Sequence, residues 1–383
     1  MHDNHMGAAP AVARRYPVVF NGSGGEYFRV WIVNLLLTIL TLGIYSAWAK
    51  VRKLRYFYRN TEIDGSVFDY HGRPGAILKG RLVALLLIGF YNFAFQFSLA
   101  LGLFAAALMA ALLPWLLTQS QKFRLHNSSF RGLRFRFTGA TREAYLIFGA
   151  PLLLVLVPTV ALAFVQPEHP LPSGLLIGFG PALLVLTLLV PYLHYRIKRF
   201  QHAHAHFGRS AARFHGKARQ FYWIYAQALL LLVAIGIVVA LVVALAVGSV
   251  AASGAPHGKA FAATIGLAVA FALYGALLCL TPFINARVQN RVWNSTLLGL
   301  VGFESNVRAR RLVFIYVTNL LLIVVTLGLF IPFAVVRMLK YRLSGMTVLS
   351  TTDLRGFVAN QTQRDVGATG EGAADLLDFD FAL

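Results

Sequence analysis

The sequence predicts an α-helical polytopic membrane protein, with about six to eight membrane segments arranged as helical hairpins and small repeated β-hairpins on the cytosolic side. Three observations lead there. Of 383 residues, 58% are hydrophobic and only 13% charged, whereas soluble domains carry about 25% charged residues. The formal charge of +21 gathers at the borders of apolar runs, as a topology signal does and as a nucleic-acid surface does not. Finally, the pattern first met as AWAKVRKLRYFYRNTEIDGSVFDYHG over residues 47–72 returns after every later apolar run.

Residues 1–17 read as a tail, 18–356 as the repeated membrane domain and 357–383 as an acidic, disordered tail. Val18 to Gly22 reads as a short strand, and Ser23-Gly24-Gly25-Glu26 as a turn feeding an apolar run over 28–49. That run lacks a small-residue cleavage site and exceeds a signal-peptide core, so it is expected to stay as an anchor. Thr41-Leu42-Gly43 near its middle fits either a single kinked span or a re-entrant turn, and both readings stay open.

The unit that follows consists of a small residue or proline, an aromatic, then a basic-aromatic pair and a polar end. Ala47-Trp48 with Arg55-Tyr56 matches Pro114-Trp115 with Lys122-Phe123, Pro191-Tyr192 with Arg199-Phe200, and Pro332-Phe333 with Lys340-Tyr341. Pro282-Phe283 opens a weaker copy. A glycine turn and an aromatic-x-Gly strand end come next, in Phe68-Asp69-Tyr70-His71-Gly72, and again in Phe135-Arg136-Phe137-Thr138-Gly139. Phe20-Asn21-Gly22 opens the chain in the same way, and Phe303-Glu304-Ser305 is the most divergent copy. Asn34 and Thr41-Leu42-Gly43 recur as Asn319 and Thr326-Leu327-Gly328, so internal duplication is the simplest account.

Long apolar blocks separate the units. Residues 82–117 would span about 54 Å as one helix against a hydrocarbon core of about 30 Å, so the chain is expected to fold back near Leu101-Gly102. The blocks 145–192 and 221–284 are divided by Pro- and Gly-rich turns at 166–174 and 248–259, and these turns hold a single Lys or Arg, Lys259. Hairpins return the chain to one side, and the charge asymmetry makes that side cytoplasmic. Cys279 is the only cysteine, so there is no disulfide framework.

The string FNGSGGEYFRVWIVNLLLTILTLGIYSAWAKVRKLRYFYRNT, followed by GSVFDYHG, resembles the YjgN family of bacterial inner-membrane proteins, a family of unknown function. The resemblance runs from Val18 to about Gly356 and departs at the acidic tail. It implies an inner-membrane location and brings no catalytic residue, substrate or cofactor.

Candidate chemistry is sparse. His202, His204 and His206 alternate and would share one face of a strand, a set that suits zinc, copper or nickel. A helix would splay them, and no nearby carboxylate is visible to orient them, so a solvated histidine cluster is the preferred reading. Gly22-Ser23-Gly24-Gly25 lacks the Gly-Lys-Ser/Thr of a phosphate loop. Arg55-Tyr56-Phe57-Tyr58-Arg59 could stack bases but reads more simply as an interfacial aromatic belt. The apolar segments themselves lack ionisable residues, which argues against ion-coupled transport and against intramembrane hydrolysis. Asn92, Gln96, Gln227 and Asn319 are expected to bond helix to helix, while Glu62, Asp64, Asp69, Glu143 and Glu304 read as surface charges of the cytosolic layer.

Basic residues stand where membrane helices should begin: Arg29, Lys79, Arg81, Arg142, Lys217, Arg219, Arg308, Arg310 and Arg311. A cation beside a helix N-terminus is unfavourable unless an anion is shared, and lipid phosphate is the anion at that depth. The expected function is therefore non-catalytic binding or handling of an anionic lipid or amphiphile, with no cofactor and no nucleic acid. The alternatives are a membrane scaffold that recruits an acidic protein partner, and a passive channel or facilitator.

Overall fold

The computed structural model describes residues 14–163, 173–252, 259–356 and 358. The acidic tail beyond 358 and the turns around 166 and 254 lie outside the described residues. Within them the chain is mostly helical, and the strands form a single closed barrel.

β1 (Arg14–Phe20) leads into α1 (Gly24–Leu40), and α2 (Ser46–Arg59) returns to β2 (Thr61–Ile63) and β3 (Ser66–Tyr70). The same course is followed by α3 (Pro74–Phe97), α4 (Leu99–His126), β4 (Ser128–Phe130) and β5 (Leu133–Phe137). Next come α5 (Thr141–Ala163), α6 (Ser173–Ala203), β6 (Ala205–Phe207) and β7 (Ser210–Phe214), then α7 (Ala218–Ala252), α8 (Lys259–Asn294), β8 (Thr296–Leu298) and β9 (Val301–Ser305). The last set, α9 (Ala309–Val325), α10 (Ile331–Ser344) and β10 (Met346–Ser350), ends beside the first strand: Tyr16 pairs with Val348 and Val18 with Ile63.

All strand pairs are antiparallel, and β1 bridges β10 and β2, so the barrel has no free edge. The small repeated β-hairpins read from the sequence are thus joined edge to edge, and their closure into one barrel goes beyond that hairpin description. A two-stranded hairpin is marginal alone, and neighbouring hairpins join through registers such as Phe68 with Phe130 and Phe135 with Phe207. The expected N-terminal tail also shortens, because Arg14 to Pro17 pair with β10.

The third residue of each short strand points into the barrel: Ile63, Phe130, Phe207, Leu298 and Val348 belong to one apolar core with Phe68, Phe135 and Phe303. Ring centroids 4.8 Å apart for Phe68 and Phe130, and 4.9 Å apart for Phe135 and Phe207, fill the interior. Leu354 and Val358, beyond β10, complete this core. The barrel is therefore a packed body and not a water-filled passage.

The aromatic-x-Gly strand ends have a steric cause. The rings of Phe20, Tyr70, Phe137 and Phe214 fold over Gly22, Gly72, Gly139 and Gly216, where a Cβ would collide with them. In the divergent copy Ser305 supplies no ring, and Val307 occupies the glycine's place.

Each helix packs against its chain neighbours and α10 packs against α1, so the helices close a ring. Among the described residues, four helices are long and apolar enough to cross a membrane: Pro74–Phe97, Leu99–His126, Ala218–Ser249 and Ala263–Asn294. α1 and α9, at about 26 Å each, are shorter than a bilayer core. The chain turns back after both. Thr41 Oγ1 donates to the Leu37 carbonyl at 2.7 Å and accepts from Tyr45 N–H at 2.9 Å, while Gly43 takes φ +94°. Thr326, Phe330 and Gly328 repeat this arrangement, with Gly328 at φ +92°. Leu42 and Leu327 at the tips are 95% and 93% exposed, an apolar surface that suits burial in lipid far better than emergence into water. The first and last apolar runs are therefore short helical hairpins that reverse at Thr41-Leu42-Gly43 and Thr326-Leu327-Gly328.

The reversal between α3 and α4 falls at Ser98, not at Leu101-Gly102. Ser98 Oγ caps α4 by accepting from Leu101 N–H at 3.1 Å, and Gly102 instead lets the Phe95 ring lie against its backbone. Asn319 Nδ2 does bond across helices, to the Ala334 carbonyl at 3.1 Å, but Asn92 bonds within its own helix to Ile88 at 2.8 Å.

Candidate functional site

The nine basic residues at the helix starts do not converge. They are distributed around the ring on α1, α3, α5, α7 and α9, and all but Arg81 are exposed. Arg81 is partly buried and donates to Ser46 Oγ of the neighbouring hairpin.

What distinguishes the starts is their third residue, whose side chain can reach back to the unpaired N–H groups of the first turn. In α1 it is Glu26: Ser23 Oγ accepts from Glu26 N–H at 3.2 Å, and Glu26 Oε2 accepts from Ser23 N–H at 3.4 Å. In α7 it is Gln220, whose Oε1 accepts from Lys217 N–H at 3.3 Å. In α5 it is Glu143, 3.2 Å from His204 Nε2. α3 has Pro74 first and Ala76 third, without a side-chain cap. In α9 the third residue is Arg311, a cation where the other starts carry an acid, an amide or nothing.

The surroundings of α1 and α9 otherwise match. The Tyr56 hydroxyl accepts from Ser23 N–H at 3.0 Å and faces the Ser23 carbonyl at 3.0 Å. The Tyr341 hydroxyl does the same for Arg308, at 3.0 and 3.2 Å. Tyr56 also lies 3.2 Å from Glu26 Oε2, whereas among the described residues Tyr341 has no carboxylate partner. Arg308 and Arg311 instead open onto a groove of about 440 Å³ lined by Asn306, Val307, Tyr341, Ser344 and Gly345. The groove thus offers two guanidinium groups, an uncapped helix start and several hydroxyl or amide groups, a combination suited to an anion.

The histidines part company. His202 lies at the end of α6 with Nδ1 3.2 Å from Thr296 Oγ1; His204 pairs with Glu143; His206 Nδ1 lies 3.3 Å from Thr138 Oγ1. The expectation that no carboxylate lies near them is corrected by Glu143. Among the described residues no three His, Cys, Asp or Glu side chains gather as metal ligands. The other acids also have partners: Asp64 binds Arg131 at 2.7 Å, Asp69 binds Arg59 at 2.9 Å, Glu304 binds Arg15 at 2.5 Å, and Glu62 accepts from Asn21 at 2.7 Å. Arg59 holds the Asp69 carboxyl below its usual range.

Sequence reading missed the role of Glu26. The signal was present, since Ser23-x-x-Glu26 before an apolar run is the spacing of a capping box.

Residues 15–376 match the family described as "Bacterial protein of unknown function (DUF898)". The chain belongs to this family. The inner membrane protein YjgN of Salmonella typhimurium is 31% identical over 153 residues, 39% of this chain and 39% of that protein. The protein of the same name from Escherichia coli K12 is 31% identical over 144 residues, 36% of this chain and 35% of the relative. The similarity to these DUF898 relatives thus spans well under half of their length, and no solved structure matches the chain.

Proposed function

We propose that this protein is a non-catalytic component of the bacterial inner membrane that holds anionic lipid at its helix starts, foremost in the groove before α9. The observation that carries this reading is the exchange of Glu26 for Arg311 at matching places. α1 brings its own anion to its N-terminus, and α9 brings cations to an open groove of lipid-headgroup size. Each basic residue near an anionic surface adds about 1 kcal/mol, so Arg308, Arg310 and Arg311 together hold a phosphate firmly.

In this reading α3 to α8 cross the bilayer as three helical hairpins, the two short hairpins dip into one leaflet, and the barrel stands in the cytoplasm. The single cation among the opposite turns, Lys259, supports that orientation. The recurrence of one helix-strand pattern around the ring supports an origin by internal duplication.

The test is native mass spectrometry of gently extracted protein and of its Arg308→Gln/Arg311→Gln variant, each in phosphatidylglycerol-rich membranes. Phosphatidylglycerol retained by the parent and lost from a correctly inserted variant supports the proposal. Equal retention contradicts it, and a retained acidic protein in place of lipid would favour the scaffold.

A further inference from the structure

The outer face of the barrel is electrically lopsided. On each strand the residues that alternate with the core face outward. β2, β3 and β9 turn out the carboxylates Glu62, Asp69 and Glu304, where Asn21, Arg59 and Arg15 meet them. β4 to β8 follow one another on the far side of the barrel from β1, and they contain no Asp or Glu.

Within that sector Phe135, Phe207 and Ala212 point inward. Their neighbours Arg134, Arg136 and Arg213 are exposed, and His206 stands between the strands that carry them. Arg136 is in register with His206, and His206 with Ala211 of β7. Two strand spacings, about 10 Å, thus separate the arginine row of β5 from that of β7. Arg134 Nη1 lies 3.3 Å from His126 Nε2, another basic group. Leu297, in register with Arg213, and Leu300 in the turn after it are exposed at the margin of the sector. The face therefore joins cations to an apolar border, and like charges side by side on a sheet repel unless an anion is shared. Because the barrel has no free edge, the anion's carrier must lie across the face and cannot add to it as a strand.

The chain carries the complement. After Arg364 it has no Lys or Arg, and Asp365, Glu371, Asp375, Asp378 and Asp380 are interspersed with Leu376, Leu377, Phe379 and Phe381. Leu354 and Val358 pack with Ile63, Phe130 and Phe207, the core residues beside the hairpin turns. The chain therefore leaves the barrel at the mouth that this sector borders. From Val358 to Asp365 an extended chain reaches about 23 Å, at about 3.3 Å per residue, which exceeds the width of the sector. A tether of this length holds the acids near the arginines at an effective concentration on the order of millimolar.

We infer that the acidic segment over residues 365–383 docks on the outer face of β5 to β7, with its carboxylates against Arg134, Arg136 and Arg213 and its apolar side chains beside Leu297 and Leu300. The contact lies within one chain and does not depend on lipid in the α9 groove. Salt weakens it, because the screening length falls from about 10 Å at 0.1 M to about 3 Å at 1 M.

The test places a photoreactive benzophenone side chain at Phe379 of the full chain, held one copy per phosphatidylcholine nanodisc, and maps the crosslinks by mass spectrometry. At low salt the attachment points should fall in β5, β6, β7 and β8, and their yield should drop severalfold in 1 M salt. Arg134→Gln/Arg213→Gln should lower the yield in the same way without shifting thermal unfolding, because both side chains are exposed. Asp375→Asn/Asp378→Asn/Asp380→Asn should do so from the other partner. Arg308→Gln/Arg311→Gln should leave the yield unchanged; a drop there would place the segment at the α9 groove and overturn the inference. Crosslinks spread around the barrel, confined to the helices or to lipid, or absent at low salt also overturn it. So does a yield at β5 to β7 that neither salt nor the arginine replacements reduce.

Discussion

The starts of α1 and α9 are two solutions to one electrostatic problem. Both follow a barrel strand, both set a tyrosine hydroxyl against the first backbone groups, and both lead into a short helical hairpin. At α1 the chain answers the exposed N–H groups with Ser23 and Glu26. At α9 it presents Arg308, Arg310 and Arg311. A helix start with an internal carboxylate is complete by itself, whereas one that concentrates cations is complete only with an anion from outside. In the function proposed above, that difference turns a structural feature shared by both sites into a binding feature at one.

Making α1 resemble α9 should have the largest effect. Glu26→Arg removes a cap and sets a cation against the positive end of α1, a loss of about 2 kcal/mol. Thermal unfolding in phosphatidylcholine nanodiscs should register it, and phosphatidylglycerol should restore more stability to this variant than to the parent. The reverse change, Arg311→Glu, should stabilise the protein by about 1 kcal/mol in phosphatidylcholine and reduce copurified phosphatidylglycerol.

Tyr56→Phe and Tyr341→Phe each remove a hydroxyl from the same pair of backbone groups and should cost about 1 kcal/mol apiece. Markedly unequal losses in lipid-free detergent would break the equivalence of the two surroundings. The smallest effect is expected at Asp69, which Arg59 keeps ionised to lower pH than usual. A depressed carboxyl pKa contributes stability that is complete above the unfolded value of about 4 and fades as pH falls through the folded value. Arg59→Gln should therefore lessen the acid sensitivity of unfolding below about pH 4, with a modest loss at neutral pH because the pair is exposed.

Local signals in the sequence identified most elements but not their assembly. Thr41-Leu42-Gly43 and Thr326-Leu327-Gly328 marked the reversals, and only the cap geometry of the threonines distinguishes a turn from a kink. Phe20-Asn21-Gly22 and its relatives marked strand ends because each ring needs the glycine beneath it. The barrel was hidden because closure depends on Tyr16 meeting Val348 and Phe68 meeting Phe130, pairings with no local pattern. The cations of the helix starts were legible as a set. Their inequality was not, since it rests on Glu26 and Arg311 occupying the same place in two helices.

Photo-crosslinking with a headgroup-labelled phosphatidylglycerol, followed by peptide mapping, tests the central contrast most directly. The parent protein should be labelled around residues 306–311 and 341–345 and spared around 22–26. In Glu26→Arg/Arg311→Glu the label should move to the start of α1. Equal labelling of both starts in the parent, or labelling that the charge exchange does not move, would contradict the account.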